Sequence, residues 1–360
     1  MGNPVGAAAF DIKQMAHSYT LSAGLSVPLS DYLLRLSDAS DGADASREAA
    51  RLALAAAERK VVADTRVLYY NWLRAHAQVF LAKKAVERTH ARLNDARAAA
   101  EVGRLANADV LRIEALVANA EAAAYQAEAL RRLIGAQLAI VMRDPKGGDY
   151  VVGSGVPDDT GNARDPAGDR AWVGEALQNR LELQAIDAAT DALDHGRDAV
   201  DAGKWPRLDA VGDVTYANPN QRYFPPQNEF NATWSVGLVA SYAFDAPFDA
   251  KAKADELSAS VAANRARRAG LEGAIVNEVV TAHMEGVRAR TSLIAAETSV
   301  RASEEGYRVV TDRFQVGRAT TSDLVDAESE LLAAKLAITN ARIDLAIAAI
   351  KLDYALGREQ

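Results

Sequence analysis

The chain has no cysteine among its 360 residues. That removes disulfides, thiolate metal sites, cysteine nucleophiles and a lipidated N-terminal cysteine, while leaving the compartment open, because a periplasmic protein need not carry a disulfide. No run of about 18 apolar residues occurs, so a helical membrane protein is excluded. A β-barrel escapes that exclusion, since barrel strands are short, alternate in polarity and leave only a weak hydropathy trace. The opening MGNPVGAAAFDIKQM lacks a basic segment followed by an apolar one and does not read as a secretory signal. Basic residues are outnumbered, 41 against 49. The net charge of −8 gives no electrostatic reason to expect nucleic acid or an anionic membrane face as a partner.

Chemical motifs are equally scarce. His17, His76, His90, His195 and His283 include no pair three or four residues apart, so no metal-ligand spacing is present and no metal is expected. There is no G-x-x-x-x-G-K phosphate loop, Gly153-Ser154-Gly155 lacks a third glycine at the right place, and no G-x-S-x-G elbow occurs. Catalysis finds no support, and neither enzyme activity nor a cofactor is expected.

What the chain does have is a composition 49% hydrophobic and 25% charged, which suits a folded protein, and a telling distribution of prolines. They fall at 4, 28, 145, 157, 166, 206, 219, 225, 226 and 247, leaving two long proline-free stretches rich in Ala, Leu, Glu, Arg and Lys. Each has one break: Gly103 in VGRLANAD and Gly317 in VGRATTSD, where glycine can end a helix and Asn107 or Thr321 can cap the next. Two helical hairpins are predicted, with helices at about 43–102, 107–142, 249–316 and 321–357. The outgoing helices would be on the order of 90 to 100 Å long and need partners along their whole side. Leu324, Ala327, Leu331, Ala334, Ile338, Ala341, Leu345, Ala348, Leu352 and Ala355 step 3,4,3,4, a coiled-coil repeat that a soluble rod would satisfy equally. Tyr69, Tyr70 and Trp72 interrupt the first helix and read as core packing ahead of a binding pocket.

The hairpins repeat. A shift of 214 superimposes Val102/Val316, Arg104/Arg318, Asp109/Asp323, Glu114/Glu328 and Leu138/Leu352, and upstream Ala75/Ala289, Val79/Leu293, Ala82/Ala296 and Val86/Val300. Before each hairpin stands a strand-like segment, 19–29 and 231–245, related by an offset of 213. In the second, Trp234, Val236, Leu238, Ala240, Tyr242 and Phe244 share one face, and the span from Trp234 to Tyr242, roughly 26 Å, matches a lipid-facing band with aromatic margins. A strand at 207–217, the polar loop 218–230 and a helix at 172–204 complete the second unit. The first repeat thus covers 1–145 and is incomplete at its N-terminus, 146–171 is a linker, and 172–360 is the second repeat. The missing helix and strand are expected upstream of residue 1, which makes this a truncated form. With three strands where a complete protomer would supply four, it should insert poorly or assemble abnormally.

The order of elements, the tips VGRLANADVLRIE and VGRATTSDLVDAE, and the ending NARIDLAIAAIKLDYALG resemble the TolC-type outer-membrane efflux protein family. The resemblance implies a mainly α fold with a small β part. Three chains would build one outer-membrane β-barrel continued by a periplasmic α-barrel, a passive conduit for efflux or type I secretion gated at its periplasmic helical tips. It implies a homotrimer in the outer membrane, served by a periplasmic adaptor protein and an inner-membrane transporter. The family's acidic tip motif reads here Ser322-Asp323-Leu324-Val325-Asp326-Ala327, so Asp323 and Asp326, with the repeat mate Asp109, are the expected pore constriction. Acids in a first helical turn also simply complement the helix dipole. Gly103, Arg104, Gly317 and Arg318 are the expected adaptor-docking tips, and Trp234, Tyr242 and Phe244 the membrane-interface aromatics. The family's Asn-Arg-Pro-Glu-Leu signature appears as Asn179-Arg180-Leu181-Glu182-Leu183, without the proline. A soluble coiled-coil scaffold is the competing reading; a periplasmic enzyme is a third.

Overall fold

The computed structural model describes residues 17–145, 147, 150–152, 169–224, 227–316, 318–319 and 321–358. In chain order these form β1 (Tyr19–Pro28), α1 (Leu29–Leu34), α2 (Leu36–Glu101), α3 (Asn107–Val141), α4 (Asp169–Asn179), α5 (Leu181–Asp201), β2 (Arg207–Asn218), β3 (Asn231–Ser241), α6 (Ala246–Gln315) and α7 (Thr321–Ala355). Among the described residues, no helix is long and apolar enough to cross a membrane. The tandem repeat is visible in the elements themselves: α3 and α7 are both 35 residues long and start 214 positions apart.

Several boundaries differ from the sequence expectation. Helix α2 begins at Leu36, earlier than 43, directly after the short α1. Helix α6 begins at Ala246 and takes Pro247 into its first turn, where a missing N–H has no intrahelical partner to lose. The helix expected across 172–204 is two, α4 and α5, interrupted at Arg180. Asn107 does not cap α3: it is the first helical residue, and the N-cap is Ala106, which makes no side-chain capping bond. Strand β3 ends at Ser241, so Tyr242 and Phe244 lie beyond it.

The chain divides into two compact units, one drawn from Met1–Arg51 and Ala185–Arg268, the other from Leu52–Gln184 and Ala269–Gln360. Each draws on both halves of the sequence. The first holds the antiparallel sheet, in the order β1-β2-β3, with α1, the start of α2, most of α5 and the start of α6.

Among its described residues, the second unit holds helices and no strand. Its hairpins close on small residues at equivalent repeat positions: Ala75 and Ala289 are each only 1% exposed. Leu93 and Ala96 of α2 pack with Val110 and Val117 of α3, and Ala289 of α6 with Leu345 and Ala348 of α7. Trp72 and Leu73 meet Leu138 of α3 and Ile343 of α7, so the Trp72 ring is core and ties the first hairpin to α7. Helix α7 therefore buries two stripes. The heptad stripe supplies Leu345 and Ala348, while Leu336, Ile343 and Ala346, outside that stripe, are buried on further sides.

A third cluster joins Trp172 and Ala176 of α4, Leu183 of α5, Ile275 and Val279 of α6, and Ala355 and Leu356 at the end of α7. Arg180 sits in the break between α4 and α5, buried, with its guanidinium against the end of α7. It donates to Glu182 at 3.0 and 3.1 Å, to Glu278 at 2.7 Å and to the carbonyls of Tyr354 and Ala355, and it lies 4.6 Å from the centroid of the Tyr354 ring. A cation at a helix C-terminus is favoured by the exposed carbonyls there, and two carboxylates offset its desolvation. The Asn-Arg-Leu-Glu-Leu segment is thus a structural joint, with Leu183 in the core beside it.

Candidate functional site

The sheet's two faces are chemically opposite. Cross-strand partners in an antiparallel ladder point the same way, and the register places Leu25, Gly212 and Val236 in one row, Ala23, Val214 and Trp234 in the next, and Leu21, Tyr216 and Ala232 beyond. Val27, Ala210 and Leu238 complete the same face. No charged or hydroxyl side chain interrupts these rows except the tyrosine. The opposite face carries Ser22, Ser26, Asp209, Asp213, Thr215, Thr233 and Ser235.

In a soluble protein the apolar face would be the buried one. Here it is bare: Trp234 is 73% exposed, Val236 77% and Leu25 70%. Contiguous apolar surface of this kind marks a lipid or protein contact. The strands are 10, 12 and 11 residues long, the length a tilted strand needs to cross a bilayer core.

Aromatic residues sit at both ends of this face. At one end Phe230 stacks on Tyr216 with ring centroids 5.1 Å apart and lies 6.3 Å from Tyr19, a belt that the sequence reading missed because its members come from three separate segments. At the other, Tyr242 and Phe244 meet edge to face at 5.4 Å just past β3, and Trp205 precedes β2. Trp234 lies inside the band.

The loop after β2 turns over the polar face. Asn220 is buried and its amide donates to the Asn231 carbonyl at 2.9 Å and to Thr233 Oγ1 at 3.1 Å. Arg222 donates to the Trp234 carbonyl at 3.2 Å and stands 3.6 Å from Asp213, which also accepts from the Ser235 hydroxyl.

In the second unit the α2 and α6 tips share one ending. Gly103 takes a φ of 73°, its N–H donates to the Ala100 carbonyl at 2.9 Å, and the Arg104 N–H reaches the Ala99 carbonyl at 2.8 Å. This pair of bonds is the Schellman closure, which needs a left-handed residue and so favours glycine. At the other tip the Arg318 N–H donates to the Arg313 carbonyl at 2.8 Å, the equivalent bond; Gly317 lies outside the described residues. Arg104 and Arg318 are exposed, and so are the flanking valines, Val102 at 67% and Val316 at 68%.

The three candidate acids do not behave alike. Asp109, half-buried, accepts from Arg112 one turn on, at 3.2 Å. Asp326 is ion-paired with Arg92 of α2 across the hairpins, a partner absent from the sequence reading because it comes from the other repeat. Asp323 is exposed in the first turn of α7.

The same fold occurs in known channels. The MtrE outer membrane channel of Neisseria gonorrhoeae, in its open state, matches with a TM-score of 0.71 at 20% identity, over 96% of this chain and 81% of that one. The outer membrane protein VceC of Vibrio cholerae matches at 0.69 and 16%, over 95% and 87%, and the Campylobacter jejuni CmeC outer membrane channel at 0.71 and 14%, over 95% and 77%. No curated protein matches in sequence. The outer membrane efflux protein family model matches residues 11–141 and 172–358. A soluble scaffold is therefore not the favoured reading, and the chain is an outer-membrane protein with a periplasmic extension. This chain belongs to the outer membrane efflux protein family, the channels through which efflux crosses the Gram-negative outer membrane.

Proposed function

We propose that three copies of this chain form one passive conduit, a tripartite efflux or type I secretion channel completed by a periplasmic adaptor and an inner-membrane transporter. The observation that carries the reading is the sheet: one face apolar but for Tyr216 and largely exposed, and edge strands β1 and β3 each paired on one side only among the described residues. An open three-stranded sheet cannot rest in lipid, because every unpaired backbone group there costs several kcal/mol, so its edges must pair with other copies. The polar face then lines the conduit. The two halves, 1–145 and 172–360 joined by 146–171, act as pseudo-equivalent repeats around the axis.

Transport needs no energy from this chain, and the chemistry it must supply is a wetted path and a closable end. At the helical tips we assign Asp323 and Asp326 to the constriction, with Asp109 a weaker contributor because its repeat carries Arg112 in place of a second acid. Arg92 and Asp326 link the two hairpins, so opening the tips would break that pair. The valine and arginine at each tip, with Gly103 and Gly317 shaping the turns, are the docking surface for the adaptor: a small apolar knob beside a cation.

The test is the native mass, in mild detergent, of the 360-residue chain and of a form extended upstream by whatever the reading frame encodes. A trimer that forms in detergent and conducts in planar bilayers supports the conduit. A monomer or dimer from both forms that stays soluble in detergent-free buffer would remove it and leave the apolar sheet face without a role.

A further inference from the structure

We infer that Asp38, Asp41 and His195 form a binding site for a divalent transition-metal ion of the zinc class, clipping the start of α2 to α5 in the first unit. One donor atom from each of the three side chains lies within 4.8 Å of the other two. His195 Nδ1 stands 3.9 Å from Asp38 Oδ1. That is too long for a hydrogen bond, yet near the separation of about 3.4 Å that two donors adopt when they share one ion at about 2.1 Å.

The helices are built to approach here. A Cβ added at Gly42 would stand 3.3 Å from His195 Cβ and 3.4 Å from the Ala192 carbonyl oxygen, so glycine allows the two backbones to close at the level of the three ligands. Asp38 and Asp41, three residues apart, leave α2 on one side, the side that meets His195. Their charge is not spent elsewhere: among the described residues no lysine or arginine pairs with either. Arg197, two residues from His195, is engaged by Asp194 and Asp198.

Two carboxylates and a neutral imidazole sum to −2 and balance a divalent cation. The imidazole nitrogen decides the class, because all-oxygen sites suit calcium or magnesium while a mixed nitrogen and oxygen set favours zinc, nickel or copper. The half-exposed setting leaves room for water to complete a tetrahedron. Sequence spacing could not reveal the site, since the histidine and the carboxylates come from opposite halves of the chain.

The experiment uses the full chain in detergent, stripped with a chelator and titrated by calorimetry with Zn²⁺, with Co²⁺ absorption as a second readout. One ion per chain is expected, with visible d–d bands for Co²⁺. His195→Ala and Asp41→Asn should each weaken zinc binding at least about tenfold. His90→Ala, a histidine beside Glu121 in the second unit, should leave binding unchanged. Zinc affinity untouched by His195→Ala, affinity weaker than about 100 µM in the unaltered chain, or displacement by an equal concentration of Ca²⁺ would each overturn the assignment. Should His195→Ala lose helicity, Asp41→Asn, at an exposed position, decides alone.

Discussion

Helices α3 and α7 end with the same hydrogen bonds on different residues. Arg143 and Gly357, 214 positions apart, both take positive φ, 53° and 70°, and both helices close with the paired bonds of the Schellman type. Only Gly357 is also crowded: a Cβ there would stand 2.9 Å from the Asn179 carbonyl carbon. Glycine should therefore be preferred at both sites, and strongly so only at 357. Gly357→Ala should cost about 1–2 kcal/mol from the left-handed conformation alone, and more for displacing Asn179. Arg143→Gly removes that penalty against about 0.5–1 kcal/mol of added chain entropy, so it should be neutral or mildly stabilising. Urea midpoints of the two variants check this, and equal destabilisation would contradict it. Arg180 offers a second residue-scale test. Burial works to raise the Glu182 pKa, but the Arg180 hydrogen bonds and charge and the Tyr354 hydroxyl outweigh it and hold it below its ordinary 4.5. Burial pushes the Tyr354 phenol up to about 12, so it stays a donor to Glu182. A carboxylate whose folded pKa is depressed contributes stability that is fully present above 4.5 and lost as pH falls through the folded value. Arg180→Met, which strands Glu182 and Glu278, should cost about 3–5 kcal/mol at neutral pH, and its deficit relative to the parent should shrink below about pH 4.5. A deficit constant between pH 7 and 3 would disprove the linkage.

Among the elements, the sheet separates lipid from lumen by parity alone. Leu25 sits mid-strand on the apolar face and Ser22 on the polar one. Leu25→Arg should cost about 2–4 kcal/mol in a membrane and reduce the trimer recovered from outer-membrane fractions, while Ser22→Lys should assemble normally. Similar loss from both would mean that the two faces are not differently solvated. Strand identity and the alternating face were legible in β3 because period 2 is visible in a single strand. The cross-strand partners were not, because register is set by pairing and no residue in β1 announces that Leu25 faces Gly212. Helix α7 makes the same point. Its heptad gave the seam with α6, yet Ile343, fully buried, lies on the side that meets Trp72 of the first hairpin, and one helix cannot advertise which of its apolar sides faces which neighbour.

For the whole channel, charge at the tips should set ion preference. Asp326→Asn and Asp323→Asn each remove one carboxylate from the tip of the second repeat, so reversal potentials in a KCl gradient should move toward anions. Asp109→Asn should shift them least, since its repeat carries Arg112 where the second repeat carries Asp326 and the constriction is assigned to the second. Conductance traces of the three variants in planar bilayers give the order, and an order led by Asp109 would refute the assignment of the constriction to the second repeat.

The amino-acid sequence by itself determined the long helices, the glycine-ended tips, the duplication and the alternation of the strands. Those follow from proline placement, helix propensity and residue period, which act within a few turns of chain. Tertiary structure alone decided which groups meet: Arg92 with Asp326, Arg180 with the end of α7, Phe230 with Tyr216 and Tyr19, and Asp38 and Asp41 with His195. Each of these joins residues that packing brings together from separate segments, and short-range periodicity carries no record of such distant partners.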